Sequence, residues 1–165
     1  SDASVLGHVS YFAELIDECA PEADPSATLF RLGAAVVESL GGDIRVEHLA
    51  RYVEYWILRL QGVYPSLVAC HRCGGDGSSG ARLDATGGGV ACRGCAVEGG
   101  LVLSGASMRF LREAAGTAPA DASGLTLPAP AARELERAHR QLISNHLEKE
   151  LRSLRVLRAM ARDTN

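Results

Sequence analysis

The sequence predicts a mainly α-helical protein: a helical domain carrying an inserted four-cysteine zinc-binding module that contains short β-strands. Three observations carry that expectation. Hydrophobic residues make up 47% of the chain but aromatics only 5%. The core is therefore built from Leu, Val, Ala and Ile, a mix that suits helices better than a sheet sandwich. Apolar residues recur at steps of three and four before residue 61 and again after residue 130, whereas the stretch between them loses that period and gathers glycine and cysteine. At 165 residues, the chain is the size of one domain and long enough to bury its own core.

Residues 1–64 read as three helices. Val5, Val9, Phe12, Leu15, Ile16 and Cys19 form the first apolar stripe, which Pro21 ends. Asp24 before Pro25 has the pattern of an N-cap followed by a proline in the first turn. Leu29, Leu32, Val36 and Leu40 continue from it and stop at Gly41-Gly42, a left-handed C-cap. Val46, Leu49, Val53, Trp56, Ile57 and Leu60 mark the third helix, which ends near Gly62.

Residues 65–103 form the metal module, rich in glycine and too poor in apolar surface to order without help. The helical stripes around it are expected to pack independently. Leu101-Val102-Leu103 is a short strand, and Ser104 caps a short helix over 104–115 that carries Met108 and Leu111. Gly116, Pro119, Gly124, Pro128 and Pro130 punctuate 116–130 as a linker. A long helix over 131–162 sets Leu135, Leu142, Ile143, Leu147, Leu151 and Leu154 on its apolar side.

Cys70-x2-Cys73 and Cys92-x2-Cys95 lie 18 residues apart, the spacing of a four-cysteine zinc site. Two residues between ligands let both sulfurs of a knuckle reach one tetrahedral centre. Such a site yields about 10–16 kcal/mol of apparent binding free energy near neutral pH, enough to order a coreless segment. Paired disulfides would require an oxidising compartment, and a redox Cys-x-x-Cys occurs once, on a strand-to-helix turn. One structural Zn2+, or an iron that replaces it in an expression host, is the better reading. Cys19 lies on a helix stripe and is a small core residue; His71, between two ligands, is exposed and not a fifth ligand.

Catalysis is not expected. Four thiolates leave the metal no open position for a reactive water. His146-x-Glu148 has the form of a deaminase motif but follows both knuckles, where those enzymes place it before a Pro-Cys-x-x-Cys, so it reads as a solvent-facing helical pair. Neither a phosphate-binding loop nor a Gly-x-Ser-x-Gly elbow occurs. No apolar run is long enough to span a bilayer, and the first residues carry no basic signal region. The chain opens without Met, which marks a processed form or an excised fragment.

The net charge of −3 argues against a non-specific nucleic-acid binder, but the charge is uneven. Residues 1–60 hold ten acids and four bases, whereas 133–165 hold five acids and eight bases. Anion contact is accordingly sought near the C-terminus. Lys149, Arg152, Arg155 and Arg158 recur every three residues there, a slowly winding basic stripe beside Leu147, Leu151 and Leu154. Arg133, Arg137 and Arg140 form an earlier set. An apolar groove with a basic rim suits an acidic peptide ending in an aromatic residue; a solvated face neutralised by Glu148 and Glu150 is the plainer alternative.

The order of motifs resembles a known family. The helical stripes with Tyr11-Phe12-Ala13-Glu14-Leu15, then Gly62-Val63-Tyr64-Pro65-Ser66-Leu67, both knuckles, Leu103-Ser104 and the closing His146-Leu147-Glu148-Lys149-Glu150-Leu151-Arg152-Ser153-Leu154 resemble the C-terminal region of RecO, the bacterial recombination mediator, over nearly the whole chain. The resemblance implies a helical domain with an inserted zinc module, in a family where it follows a DNA-binding OB-fold that this chain is expected to lack. It also implies a cytoplasmic, nucleoid-associated role in DNA repair, without membrane or small-molecule substrate. That role is to dock RecR and the acidic tail of single-stranded DNA-binding protein (SSB), to assist strand annealing and RecA loading, and to contact single-stranded DNA weakly. The rival reading is a stand-alone zinc-ribbon interaction domain of transcription or translation machinery. Between Cys73 and Cys92, however, only Arg82 faces Asp76 and Asp84, and no aromatic is present to stack on a base.

Overall fold

In the computed structural model, residues 2–19, 27–39, 45–84, 88–96 and 98–163 are described, and their side chains are described except at 2–4, 27–30, 39 and 150–163. Among the described residues are five helices and a small sheet that packs against the last two: α1 (Asp2–Cys19), α2 (Ala27–Ser39), α3 (Val46–Leu60), β1 (Gly80–Leu83), β2 (Val90–Cys92), β3 (Leu101–Ser104), α4 (Gly105–Gly116) and α5 (Ala129–Asp163), with a 3-10 turn at Pro119–Gly124. The proposed caps at Asp24-Pro25 and Gly41-Gly42, with Pro21 and Leu40, lie outside the described residues.

Most described members of the expected stripes face the core, while Leu60 is 40% exposed and the side chains of Leu29, Leu151 and Leu154 lie outside the described residues. Phe12, Leu15 and Cys19 of α1 and Leu32 and Val36 of α2 turn inward. Helix α3 is central: it packs against α1, α2, α4 and α5. Leu49, Tyr52, Val53, Tyr55, Ile57 and Leu58 are all buried, so it is apolar on more than one side. Its aromatic residues keep polar tips, and these close the end of α4. Tyr52 donates to the Thr117 carbonyl at 2.7 Å, and Trp56 Nε1 donates to the Ala114 carbonyl at 3.2 Å. Gly62 ends α3 at φ +74, the left-handed conformation that favours glycine, while the Val63 amide reaches back to the Leu58 carbonyl at 2.8 Å.

The three strands form one antiparallel sheet in the order β2-β1-β3. Ala81 opposes both Cys92 and Leu103, and Leu83 opposes Val90 and Leu101. Strands β1 and β2 were not distinguished from the glycine-rich loop around them. Val90 and Cys92 are the only residues of β2 above alanine in size, and β1 offers Arg82 and Leu83. Leu83, Val90 and Leu103 are buried together with Met108 and Phe110 of α4 in the same core that holds the helices. The four-cysteine module is therefore not coreless and the helical stripes are not independent of it: one core serves both.

Ser104 caps α4 as expected, its Oγ accepting from the Ser107 amide at 3.2 Å. Helix α5 completes this cap, with Glu134 accepting from the Ser104 amide and the Ser107 hydroxyl, both at 2.6 Å. The stretch read as a linker, 116–130, is folded in. Ala122 and Leu127 are buried, and the 3-10 turn lies against α2. Two apolar side chains suffice to anchor it, and Pro119 pre-sets the first position of the turn. Along α5, Ala131, Leu135, Ala138 and Leu142 are buried, and Ile143 and Leu147 pack at the margin.

Candidate metal centre

The first knuckle is built by backbone turns. The Gly74 amide returns to the Cys70 carbonyl at 2.8 Å, with Gly74 at φ +72, and the Cys70 amide donates to the Gly75 carbonyl at 2.9 Å. The second knuckle repeats the device: the Cys95 and Ala96 amides bond the Cys92 carbonyl at 3.0 and 2.9 Å. The sheet sets the two knuckles side by side. Cys92 ends β2, and the His71 amide donates to the Val90 carbonyl of the same strand at 2.9 Å. His71 Nδ1 lies 3.0 Å from that carbonyl, and its ring rests against Gly89. It is exposed and serves to fasten the knuckle, not to ligate.

The sulfurs of Cys70, Cys73, Cys92 and Cys95 all lie within 4.8 Å of one another, and those of Cys73 and Cys92 are 3.7 Å apart. A tetrahedron with metal–sulfur bonds of about 2.3 Å has edges of about 3.8 Å, so the cluster has the size that zinc requires. Backbone amides already point at the sulfurs: Arg72 at 3.4 Å from Cys70 Sγ and Gly75 at 3.3 Å from Cys73 Sγ. Amides at Cys92 and Cys73 hold the Cys70 thiol down to about 6, while the sulfurs of Cys73 and Cys92 push the Cys95 thiol up to about 12. Such crowding cannot accommodate four thiolates at once without a cation among them. The donor set and its geometry fit a closed four-thiolate metal site with no open position.

A second polar cluster went unread in the sequence. Glu54 of α3 is 3% exposed and His139 of α5 is 0% exposed. Glu54 Oε2 accepts from His139 Nδ1 at 2.9 Å, and Glu54 Oε1 accepts from Arg51 at 2.7 Å and from the Tyr11 hydroxyl at 2.9 Å. The other ring nitrogen of His139 meets the buried Tyr64 hydroxyl at 2.8 Å. Burial alone would raise the Glu54 carboxyl, but bonding and charge from His139, then Arg51 and Tyr11, hold it below its ordinary 4.5. The same burial pushes Tyr11 up beyond the range of a free phenol. The sequence signal was positional: Glu54 lies four residues after Ala50 and three before Ile57, and His139 four after Leu135 and three before Leu142. Charged residues in the phase of a core stripe ask for partners.

The basic stripe proposed on the last helix is only partly described. Helix α5 continues through Lys149, Arg152, Arg155 and Arg158, and Lys149 is exposed, but the side chains of Arg152, Arg155 and Arg158, with those of Leu151 and Leu154, lie outside the described residues. Of the earlier set, Arg140 pairs with Glu136 at 2.9 Å. His146 differs from the solvent-facing reading: it is half-buried, and its Nε2 lies 3.3 Å from Gln61 Oε1. Cys19 is a buried core residue. No helix among the described residues is long and apolar enough to cross a membrane.

Comparison with known proteins adds a family. Residues 1–155 match the family described as Recombination protein O C terminal. The chain is 32% identical over 159 residues to a DNA repair protein RecO of Anaeromyxobacter sp. (strain K), covering 94% of this chain and 63% of that one. It is 31% identical over 160 residues to the RecO of Geobacter sulfurreducens, covering 96% and 65%. A shorter match, 41% over 71 residues, links it to the RecO of Pelotomaculum thermopropionicum. The chain thus spans a little under two thirds of the length of the relatives that it matches most fully.

Proposed function

This chain belongs to the Recombination protein O C-terminal family, and from that premise we propose that it is a non-catalytic docking domain of a DNA recombination mediator. The observation that carries the reading is the extent of the match: residues 1–155 include all three N-terminal helices, both knuckles and most of α5. The metal is one zinc ion, held by Cys70, Cys73, Cys92 and Cys95, and it organises the sheet without meeting a substrate. The Tyr64–His139–Glu54 chain resembles a proton relay, but Tyr64 and His139 are buried, and Glu54, which lines a cleft of about 580 Å³ with Tyr11 and Arg51, is taken up by their hydrogen bonds. A stand-alone zinc ribbon fits less well, because the sheet shares its core with α4 and the other helices.

The domain's partners are the acidic, aromatic-ended tail of single-stranded DNA-binding protein and RecR, and through them it assists strand annealing and RecA loading in the bacterial cytoplasm at the nucleoid. On this reading Lys149, Arg152, Arg155 and Arg158 supply the charge that meets the acidic tail, and Leu147, Leu151 and Leu154 the apolar partners of its ring. Steering comes from the charges and most affinity from burying the ring, since exposed ion pairs contribute at most about 1 kcal/mol each. Calorimetry with a synthetic tail peptide tests this. Arg152→Glu with Arg155→Glu should weaken binding without loss of helix content, and removing the terminal aromatic should hurt at least as much. Unchanged affinity in the double reversal would leave the stripe a solvated face.

A further inference from the structure

Away from the last helix, two arginines and a histidine converge on one cleft with no acid lining it among the described residues. Arg45, immediately before α3, His48 in its first turn and Arg109 of α4 line a cleft of about 570 Å³, closed on one side by residues 123–129. Neither Asp nor Glu lines it. Arg45 and Arg109 are exposed, and the guanidinium of neither bonds or pairs with another described residue. Burial and the charge of Arg45 hold the His48 imidazole below its ordinary 6.5, against the weaker pull of Glu47. The cleft opens into a second hollow of about 260 Å³ that shares Arg45, His48 and Ala129 and adds Arg133. The acids there are Glu47 and Glu136, and Glu136 is already engaged by Arg140 and, at 3.7 Å, by Arg51. Arg109, Arg45 and Arg133 therefore lie along one groove across α4 and the starts of α3 and α5.

Like charges gathered this way repel one another, and the fold gains no contact from them in return. A polyanion supplies what is missing. The walls favour phosphates over a peptide anchor. Phe110 and Leu127 of the lining are 1% and 4% exposed, which leaves Leu125 and Pro128 as its larger apolar surface, with no exposed aromatic residue. Ser123 and Thr126 contribute hydroxyls instead, and guanidinium groups bind phosphate oxygens in a bidentate fork. We propose that this groove is a DNA-docking surface that holds the sugar–phosphate backbone of a single strand, distinct from the last-helix stripe. It rests on the recombination-mediator reading only for the choice of DNA as the polyanion.

The test is fluorescence anisotropy of a labelled oligothymidine titrated with the 165-residue chain at salt concentrations from about 50 to 200 mM. Three phosphates neutralised on a single strand predict a log–log salt slope of about −2. Arg45→Gln with Arg109→Gln should lower low-salt affinity roughly tenfold and flatten the slope to about −0.7, with an unchanged melting temperature. Arg152→Glu with Arg155→Glu should keep most of the binding. Photocrosslinking with thiothymidine, mapped by mass spectrometry, should mark 106–129. Wild-type affinity in the Arg45/Arg109 variant, crosslinks confined to the last helix, or no binding at low salt would each overturn the proposal. Loss of tail-peptide binding in that variant, with oligonucleotide binding kept, would overturn it too. Failure of the wild-type chain to bind the tail peptide, with the oligonucleotide results as expected, would sink only the docking role of α5.

Discussion

The cysteine cluster and the Glu54–His139 cluster solve one problem by opposite means. Both gather groups that repel or cost energy when brought together. The four sulfurs sit on turns at the rim of the sheet, Cys73 exposed, within 4.8 Å of one another, and a cation from outside would let all four ionise together. Glu54, His139, Tyr64, Arg51 and Tyr11 come from α1, α3, the segment after it and α5, and they bond one another at the margin of the core, with only Arg51 Nε left without a partner among the described residues. In the first cluster a ligand is part of the fold; in the second the fold is its own ligand. The first is coded by spacing along the chain and the second by contacts between distant segments.

The largest effect should come from taking away the cation. Chelation, or Cys73→Ser, forfeits most of the roughly 10–16 kcal/mol of apparent metal binding. Amide exchange over 70–96 should accelerate sharply. Because Leu83, Val90 and Leu103 share a core with Met108 and Phe110, the helical melting temperature should fall as well. Metal analysis, exchange and circular dichroism on the same sample check this. A helical melt indifferent to chelation would separate the module from the core.

Next comes Glu54→Ala, which strands Arg51, His139 and Tyr11 without an acceptor and should cost about 3–5 kcal/mol in urea unfolding. A loss below about 1 kcal/mol would mean that water replaces the carboxylate and that the network is not sealed. Acid should act through the same group more gently. The folded-state pKa of Glu54 lies below 4.5, so its contribution is complete above that pH and drains away as pH falls beneath it. Urea midpoints measured between pH 3 and 7 should decline below 4.5 in the wild type and decline less in Glu54→Gln.

The smallest effect tests the seam between the regions. Arg112 of α4 donates to the Leu67 carbonyl at 2.9 Å and to Asp76 at 2.9 Å, tying the entry to the first knuckle onto the helices. Hydrogen bonds from Ser78 and the ion pair to Arg112 hold the Asp76 carboxyl down to about 2. Arg112→Ala should cost about 1–2 kcal/mol and speed exchange over 67–76 while the metal stays bound. Loss of metal in this variant would show that the knuckle cannot hold its shape on backbone turns alone.

The contrast also explains what was legible. Helices α1, α3 and α5 announce themselves through apolar steps of three and four, because burial is periodic along a helix. Ser104 as a cap and Gly62 as a terminator are equally local, each answering to unpaired amides or carbonyls within a few residues. The 116–130 segment defeated such reading, because Ala122 and Leu127 gain their meaning only from α2 and the core against which they fold.

By itself, the sequence determined the helical class and the two knuckles whose four cysteines cluster, since these depend on separations of a few residues that the backbone converts directly into geometry. Tertiary structure alone decided the rest. It brought Glu54 to His139 across 85 positions, merged the sheet's apolar face with that of α4, and set Arg45 from the acidic half of the chain beside Arg109. The physical reason is the reach of each force. Turns and ligand bites act between neighbours in sequence, whereas desolvation and charge act between neighbours in space, and only the packed chain says which residues those are.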